Sequence, residues 1–344
     1  VVNAIVLFSH GSLLCGSGEA LEAHAARLRS RGLAPIVEVG YLNYSEPPFA
    51  EAVAKAILQG ARRIVVAPYF LVPGKFVRVD LPRAINSVRS MHPEIEFEVA
   101  DAIGYDERLA DALILSAQTA VGPEHWRDDL QRAALSCRAN PDCPLYNTPN
   151  CPQSGEGSVE RLALSVENEE GSVKRLALSV KDEEEGVGHW ALGVKAPTEE
   201  GGPNETLPLN AQRSTLNAPS SAPNALLIMV HGSPRPVANE EMFRVVDRVK
   251  RRNAFPIVEV GFLECNAPSI AEGIDLCVER GATKVLAVPY FLHTGTHVAD
   301  DLPTLLEEAQ KRHRGVEFRL GDYLGRAELL TDILADRVAG LLQR

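Results

Sequence analysis

Nowhere does the 344-residue sequence hold an apolar run near the roughly 18 residues that a membrane-spanning helix needs. Its opening, VVNAIVLFSHGS, lacks the basic flank and small-residue cleavage site of a signal peptide. It therefore reads as a buried strand, and the expected location is cytoplasmic, with no membrane partner. Basic charge is short: 35 Lys and Arg face 46 Asp and Glu, a net −11. The counterion release behind nucleic-acid binding then has no basic surface to act through, and no nucleic-acid partner is expected. Six cysteines without an export signal read as thiols or metal ligands, not as a disulfide framework. Several catalytic signatures are missing. Ser12 and Ser233 lack the Gly-x-Ser-x-Gly elbow. Gly16-Ser-Gly18 lacks the Lys of a phosphate-binding loop and the third Gly of a dinucleotide fingerprint. Ser9 and Val230 stand where a histidine phosphatase needs Arg.

What the chain does contain is a copy of itself. His10-Gly11-Ser12 returns as His231-Gly232-Ser233, an offset of 221 residues, and the same offset carries IVEVG at 36–40, PYFL at 68–71 and DLP at 80–82 onto 257–261, 289–292 and 301–303. The match needs no gap and runs from about 4–120 onto 225–341. Each half alternates short Val/Ile/Leu runs with helical patterns. The runs are 4–9, 36–41, 64–69 and 95–101, repeated at 226–230, 257–262, 285–290 and 316–322. Continuous apolar runs suit strands buried on both faces, and Leu21, Ala25 and Leu28 fall on one helical face between them. The expected fold is α/β: two tandem parallel-sheet lobes over 1–121 and 223–344. In such sheets ligands sit beyond the carboxyl ends of the strands.

Residues 122–222 have no counterpart and are expected to form a small, partly β insertion; they hold 16 acidic and 9 basic residues, most of the net charge. Cys137, Cys143 and Cys151 come first, three thiols in a polar loop that a [4Fe–4S] cluster or, failing that, zinc could organise; unliganded thiols or a disulfide remain the plain alternative. A fourth ligand would have to come from Cys15, His125, Cys265, Cys277 or outside, although Cys277 reads as a core thiol. A 14-residue period then aligns LALSV at 162–166, LALSV at 176–180 and ALGV at 191–194, a three-stranded meander with one apolar face. Residues 196–223 read as a linker rich in Pro, Gly, Asn and Ser.

The halves differ where chemistry would sit. His10 and His231 each end a first strand, but His297 after the third strand faces Phe76 in the first half, and Glu264 after the second faces Asn43. Two imidazoles and a carboxylate suit a first-row divalent ion and can take up protons near neutrality. His231, His297 and Glu264 are therefore the candidate metal and catalytic residues, and His10 a vestigial secondary position; the plain alternatives are hydrogen-bonded strand-end histidines and solvated loop residues.

The frame HGS…IVEVGFLE…PSI…GATKVLAVPYFLHTGTHVADDLP resembles the CbiX family of class II, ATP-independent chelatases, which insert Co²⁺ or Fe²⁺ into sirohydrochlorin; it is similar more distantly to CbiK and protoporphyrin ferrochelatase. The resemblance implies flavodoxin-like lobes, a tetrapyrrole substrate held between them, and family histidines mapping onto His231 and His297 with the family glutamate at Glu264. Aromatic residues near strand ends, Tyr290 and Phe76 foremost and also Tyr41, Tyr69 and Phe262, are the expected macrocycle contacts. One departure stands out: long CbiX chains are expected to keep the full set in the N-terminal half, whereas here the C-terminal half does, as in CbiK. Some proteins of this kind carry an iron–sulfur centre in an added cysteine-rich segment, which would imply an electron-transfer partner. The alternative function is a non-catalytic metal or tetrapyrrole carrier, or an iron–sulfur redox protein on the same fold.

Overall fold

Runs such as Ala4 to Phe8 are wholly buried, and in a sheet only a strand covered by helices on both faces can hide every residue of such a run. The computed structural model describes residues 2–136, 224–235 and 237–343. Among them, the first lobe runs β1 (Asn3–Ser9), α1 (Glu19–Ser30), β2 (Ile36–Tyr41), α2 (Phe49–Leu58), β3 (Arg63–Pro68), a π-helical turn (Phe76–Asp80), α3 (Leu81–Met91), β4 (Glu96–Val99) and α4 (Arg108–Gln118). A 3₁₀ turn (Pro123–His125) and α5 (Asp128–Ser136) come next. The second lobe repeats the plan: β5 (Asn224–Val230), α6 (Val237–Arg252), β6 (Ile257–Phe262), α7 (Ile270–Glu279), β7 (Lys284–Pro289), a π-helical turn (His297–Asp301), α8 (Leu302–Arg312), β8 (Glu317–Leu320), a 3₁₀ turn (Leu324–Arg326) and α9 (Leu329–Leu342).

Both sheets are parallel and share one topology, β2-β1-β3-β4 and β6-β5-β7-β8. Register is also shared: Ala4 pairs with Ile36 and Ile64, and Ala225 with Ile257 and Val285. Chain order reverses direction between β1 and β3, and again between β5 and β7, so each lobe has its switch point beside its central strand. That is where the first-strand histidines emerge.

The lobes belong to one compact unit and share a core: Leu7, Leu21 and Leu113 of the first lie in the same buried cluster as Ile228, Val245 and Ile333 of the second. Burying each such side chain contributes about 1.5–3 kcal/mol. The lobe boundary therefore separates repeats, not cores. Around its rim the ion pairs obey the repeat offset. Arg27–Glu328 has its twin in Arg248–Glu107, and Arg31–Asp332 at 2.7 Å has its twin in Arg252–Asp111 at 2.7 Å. Solvent screens these exposed pairs, so they stabilise little, but they define a pseudo-twofold contact in which each lobe's first helix meets the other's last.

The middle of the contact breaks that symmetry. His24 is fully buried, with Nε2 2.8 Å from the Gly325 carbonyl and Nδ1 2.8 Å from Thr331 Oγ1. Tyr69 donates to the Gly325 and Leu292 carbonyls at 3.3 and 3.5 Å. His293 from the second lobe bonds Ser9 Oγ through Nε2 and approaches the Ser17 carbonyl with Nδ1. Burial pushes both imidazoles down to about 4, which keeps them neutral, as a donor on one nitrogen and an acceptor on the other require.

Residues just after 121, expected within the insertion, instead continue onto the second lobe. Val121 exchanges backbone hydrogen bonds with Leu320 at 2.9 and 3.0 Å. Buried Trp126 donates to the Val121 carbonyl, and Arg127 bonds Asp300, Thr304 and Glu307. The expected cysteine cluster of Cys137, Cys143 and Cys151, the meander and the linker lie outside the described residues. Among the described residues no helix is long and apolar enough to cross a membrane.

Candidate metal centre

A histidine at the end of a central strand is aimed by the glycine after it. Gly11 and Gly232 adopt φ of +89° and +94°, and a Cβ there would lie 1.9 and 2.0 Å from the carbonyl oxygens of Asn43 and Glu264. Only glycine fits so close an approach. The chain is then tied to the neighbouring loop, with Asn43 and Glu264 N–H groups donating to the His10 and His231 carbonyls at 2.9 Å. In both lobes the imidazole Nδ1 lies beside the next residue's carbonyl, at 3.1 Å for His10 and 3.2 Å for His231.

In the second lobe His297 opens the π-helical turn after β7, and one turn on, Asp301 Oδ2 accepts from its Nδ1 at 2.7 Å. A carbonyl and a carboxylate can only accept, so Nδ1 is the donor in His231 and His297 alike and Nε2 is the ring nitrogen left to face an ion. Their ring centroids are 5.2 Å apart, nearly perpendicular. An ion about 2.0–2.1 Å from two imidazole nitrogens at a tetrahedral angle sets the rings roughly 5 Å apart. Phe291 closes one side, 6.3 Å from the His231 ring. His231 is exposed and His297 half-buried, so the pair is reachable from solvent.

The structure brings together two of the three expected ligands. Among the described residues there is no group of three His, Cys, Asp or Glu side chains able to share an ion, so Glu264 does not complete a coordination sphere with the two imidazoles. His231 and His297 leave β5 and β7 on either side of the switch point, while Glu264 leaves β6 on the other side of β5, exposed and with its N–H bonded to the His231 carbonyl.

His10 has no imidazole partner in its lobe. Its ring lies 4.3 Å from Phe76 and 5.6 Å from Tyr44. The other expected ring contacts need correction. Tyr290 is 7% exposed and belongs to the shared core, as do Tyr41, Tyr69 and Phe262. These side chains point into the packing between sheet and helices, and burial holds the Tyr290 hydroxyl well above its usual range. Phe76, 37% exposed, is the one of the two foremost candidates that reaches the surface. Cys277 is a core thiol, pushed up to about 12 by burial.

Three residues that arrange this region were not singled out from the sequence. Asp301 was signalled by its i,i+4 spacing from His297. His24 and His293 were signalled by standing opposite Val245 and Val72 in the repeat. A cavity of about 260 Å³ opens under α5, lined by Trp126, Arg132, Val298, Tyr323 and Arg326 among others, and it does not include either imidazole of the pair.

Both halves of the chain match known proteins. The CbiX family model matches residues 4–120 and again 225–341. A sirohydrochlorin ferrochelatase of Arabidopsis thaliana chloroplasts is 35% identical over 115 residues, 33% of this chain and 51% of that one, so the match spans about half of that relative's length. A sirohydrochlorin cobaltochelatase of Methanocaldococcus jannaschii is 36% identical over 137 residues, 33% of this chain and 96% of that one. Among solved structures, SirB from Bacillus subtilis with Fe³⁺ superposes with a TM-score of 0.59 at 16% identity, covering 98% of this chain and 94% of that one; at that identity the likeness is one of fold.

Proposed function

The chain belongs to the CbiX family, and on that premise we propose that it is a metal chelatase that inserts Co²⁺ or Fe²⁺ into sirohydrochlorin without nucleotide hydrolysis, using His231 and His297 to hold the incoming ion. The observation that carries the reading is the imidazole pair at the second lobe's switch point, 5.2 Å between ring centroids and with both Nδ1 atoms engaged. Relatives named as cobalto- and ferrochelatases support the choice of substrates.

Two neutral imidazoles suit the task because they bind a first-row ion without closing its coordination shell. Open positions let the ion exchange water for pyrrole nitrogens. Insertion also releases two pyrrole protons, which need an acceptor near neutrality. The Glu264 carboxylate, exposed on a loop whose N–H is bonded to the His231 carbonyl, is proposed as that acceptor and not as a ligand. Once the ion has left them, the imidazoles themselves can serve.

Anaerobic mixing of the protein with sirohydrochlorin and either Co²⁺ or Fe²⁺, followed by absorbance, tests this. Catalytic acceleration over the spontaneous reaction, many turnovers per chain, is expected. Tight stoichiometric binding of ion or macrocycle without turnover would instead make the protein a carrier.

A further inference from the structure

The π-helical turn of the first lobe carries a different chemistry from its twin, and it does not serve the core. Residues 75–80 read KFVRVD, two cations and one carboxylate, where residues 296–301 read THVADD, with two carboxylates and no permanent cation. Lys75 and Arg78 are exposed, and Phe76 and Val79 are each 37% exposed. Beside them Tyr44 is 61% exposed and holds φ at +61°, a left-handed conformation that costs a non-glycine residue about 1–2 kcal/mol. Its twin Cys265 has φ +64°, so the loop shape is inherited while the ring is particular to this lobe. One side of Phe76 stacks on Phe70, 6.1 Å between ring centroids, which in turn packs on buried Phe8; its other side and most of Tyr44 remain open to solvent.

Tyr44 and Phe76 flank His10, whose plane is tilted 59° and 50° to theirs. The cluster adjoins the metal-side loop. Ser9, next to His10, bonds His293, and a Cβ on Gly295 would lie 3.4 Å from Ser12 Oγ; His293 and Gly295 lead directly into His297. Moreover Ala299, the twin of Arg78, packs on Leu14 of the opposite lobe's loop. The position of Arg78 in the turn is therefore the one that in the second copy faces across the lobes.

We infer that the first lobe's turn is the macrocycle platform: Phe76, His10 and Tyr44 meet the flat face of the tetrapyrrole, and Lys75 and Arg78 pair with its peripheral carboxylates. The inference rests on the chelatase reading for its choice of ligand and adds the residues that recognise it. A broad aromatic ring edged with carboxylates asks for exposed rings beside cations, and the second lobe replaces Tyr44, Phe76, Lys75 and Arg78 with Cys265, His297, Thr296 and Ala299. The result is a division of labour, with anion and ring on one lobe and cation on the other.

The test uses the full chain and two stable, metal-free probes, uroporphyrin with eight carboxylates and coproporphyrin with four, titrated by fluorescence. Wild-type protein should bind uroporphyrin more tightly, in a salt-sensitive manner. Lys75→Thr with Arg78→Ala, which installs the second lobe's residues, should weaken uroporphyrin by roughly tenfold and erase the preference. Phe76→Ala should weaken both probes alike. Co²⁺ binding and thermal midpoint should not move in the double variant. Unchanged uroporphyrin affinity in that variant, or no preference in the wild type, overturns the platform and returns the patch to another partner, such as the acidic segment of this chain. If the probe pattern holds while no metal is inserted into sirohydrochlorin, the platform stands and the chelatase reading fails.

Discussion

In the first lobe the turn after β3 carries Phe76 and leaves Val79 exposed; in the second the same turn carries His297 and lies under α5, where Leu130 and Ala133 cover Ala299. The backbone is the same, down to the glycine after each strand-end histidine and the ion pairs at the rim. What the two copies share is what packing demands. Tyr69 and Tyr290 are both buried at matching positions, and Gly11 and Gly232 meet matching carbonyls. What they do not share lies at the open edge of the sheets, where a substitution has no core to disturb. If the proposed imidazole pair serves one ion, one such edge is enough, and the other copy need not keep it.

The largest effects should separate the copies most cleanly. His231→Ala and His297→Ala are each expected to slow metal insertion by about a hundredfold or more, while His10→Ala, whose ring stands among aromatics, should cost only about threefold. Equal losses from all three would erase the asymmetry. A second probe is pH. His24 and His293 have only valines, Val245 and Val72, as twins, and both are held near 4 against an ordinary 6.5. Between those values the unfolded chain binds more protons than the folded one, so stability is intact above about 6.5 and falls as pH drops toward 4. The loss is on the order of 3 kcal/mol for His24. Smaller influences are Arg27, which lowers His24, and Glu328, which raises it, while His10 and His24 both lower His293 further, with the Tyr69 ring packed beside it. Urea midpoints of wild type and His24→Gln at pH 7 and 4.5 should converge at the lower value, and parallel profiles would remove His24 from the account. The smallest effect compares two aspartates. Asp301→Leu is expected to weaken Co²⁺ binding by about tenfold, because it frees the His297 ring. Asp80→Leu, whose carboxylate faces Arg83 at 3.8 Å and no imidazole among the described residues, should leave it unchanged. Calorimetric titration of both variants would distinguish orientation of the imidazole from a general effect on the turn.

Most of the scaffold was legible because the repeat and the apolar runs say the same thing twice. Strands expected at 36–41 and 257–262 are found at Ile36–Tyr41 and Ile257–Phe262, and the others shift by a few residues at their ends. The imidazole pair was legible through the difference at Phe76 and His297. Glu264 was legible as a residue of the loop beside His231, but spacing along the chain records which strand a residue follows and not where its carboxylate points. Tyr290 misled because the end of a strand looks accessible until the opposite lobe is packed over it. His24 was visible as a polar residue opposite Val245 and on a helical face otherwise made of Leu21, Ala25 and Leu28, a pattern that acquires meaning once Gly325 and Thr331 are brought beside it.

The stitch between Val121 and Leu320, reinforced by Arg127 on Asp300, Thr304 and Glu307, has a practical corollary. It fastens the polypeptide to the second lobe before residue 137 is reached, while Asn224 re-enters directly as the central strand of that lobe. Cargo spliced between those two posts would begin and end on segments bonded to the second lobe, which makes this a natural docking bay for grafting foreign modules onto the protein.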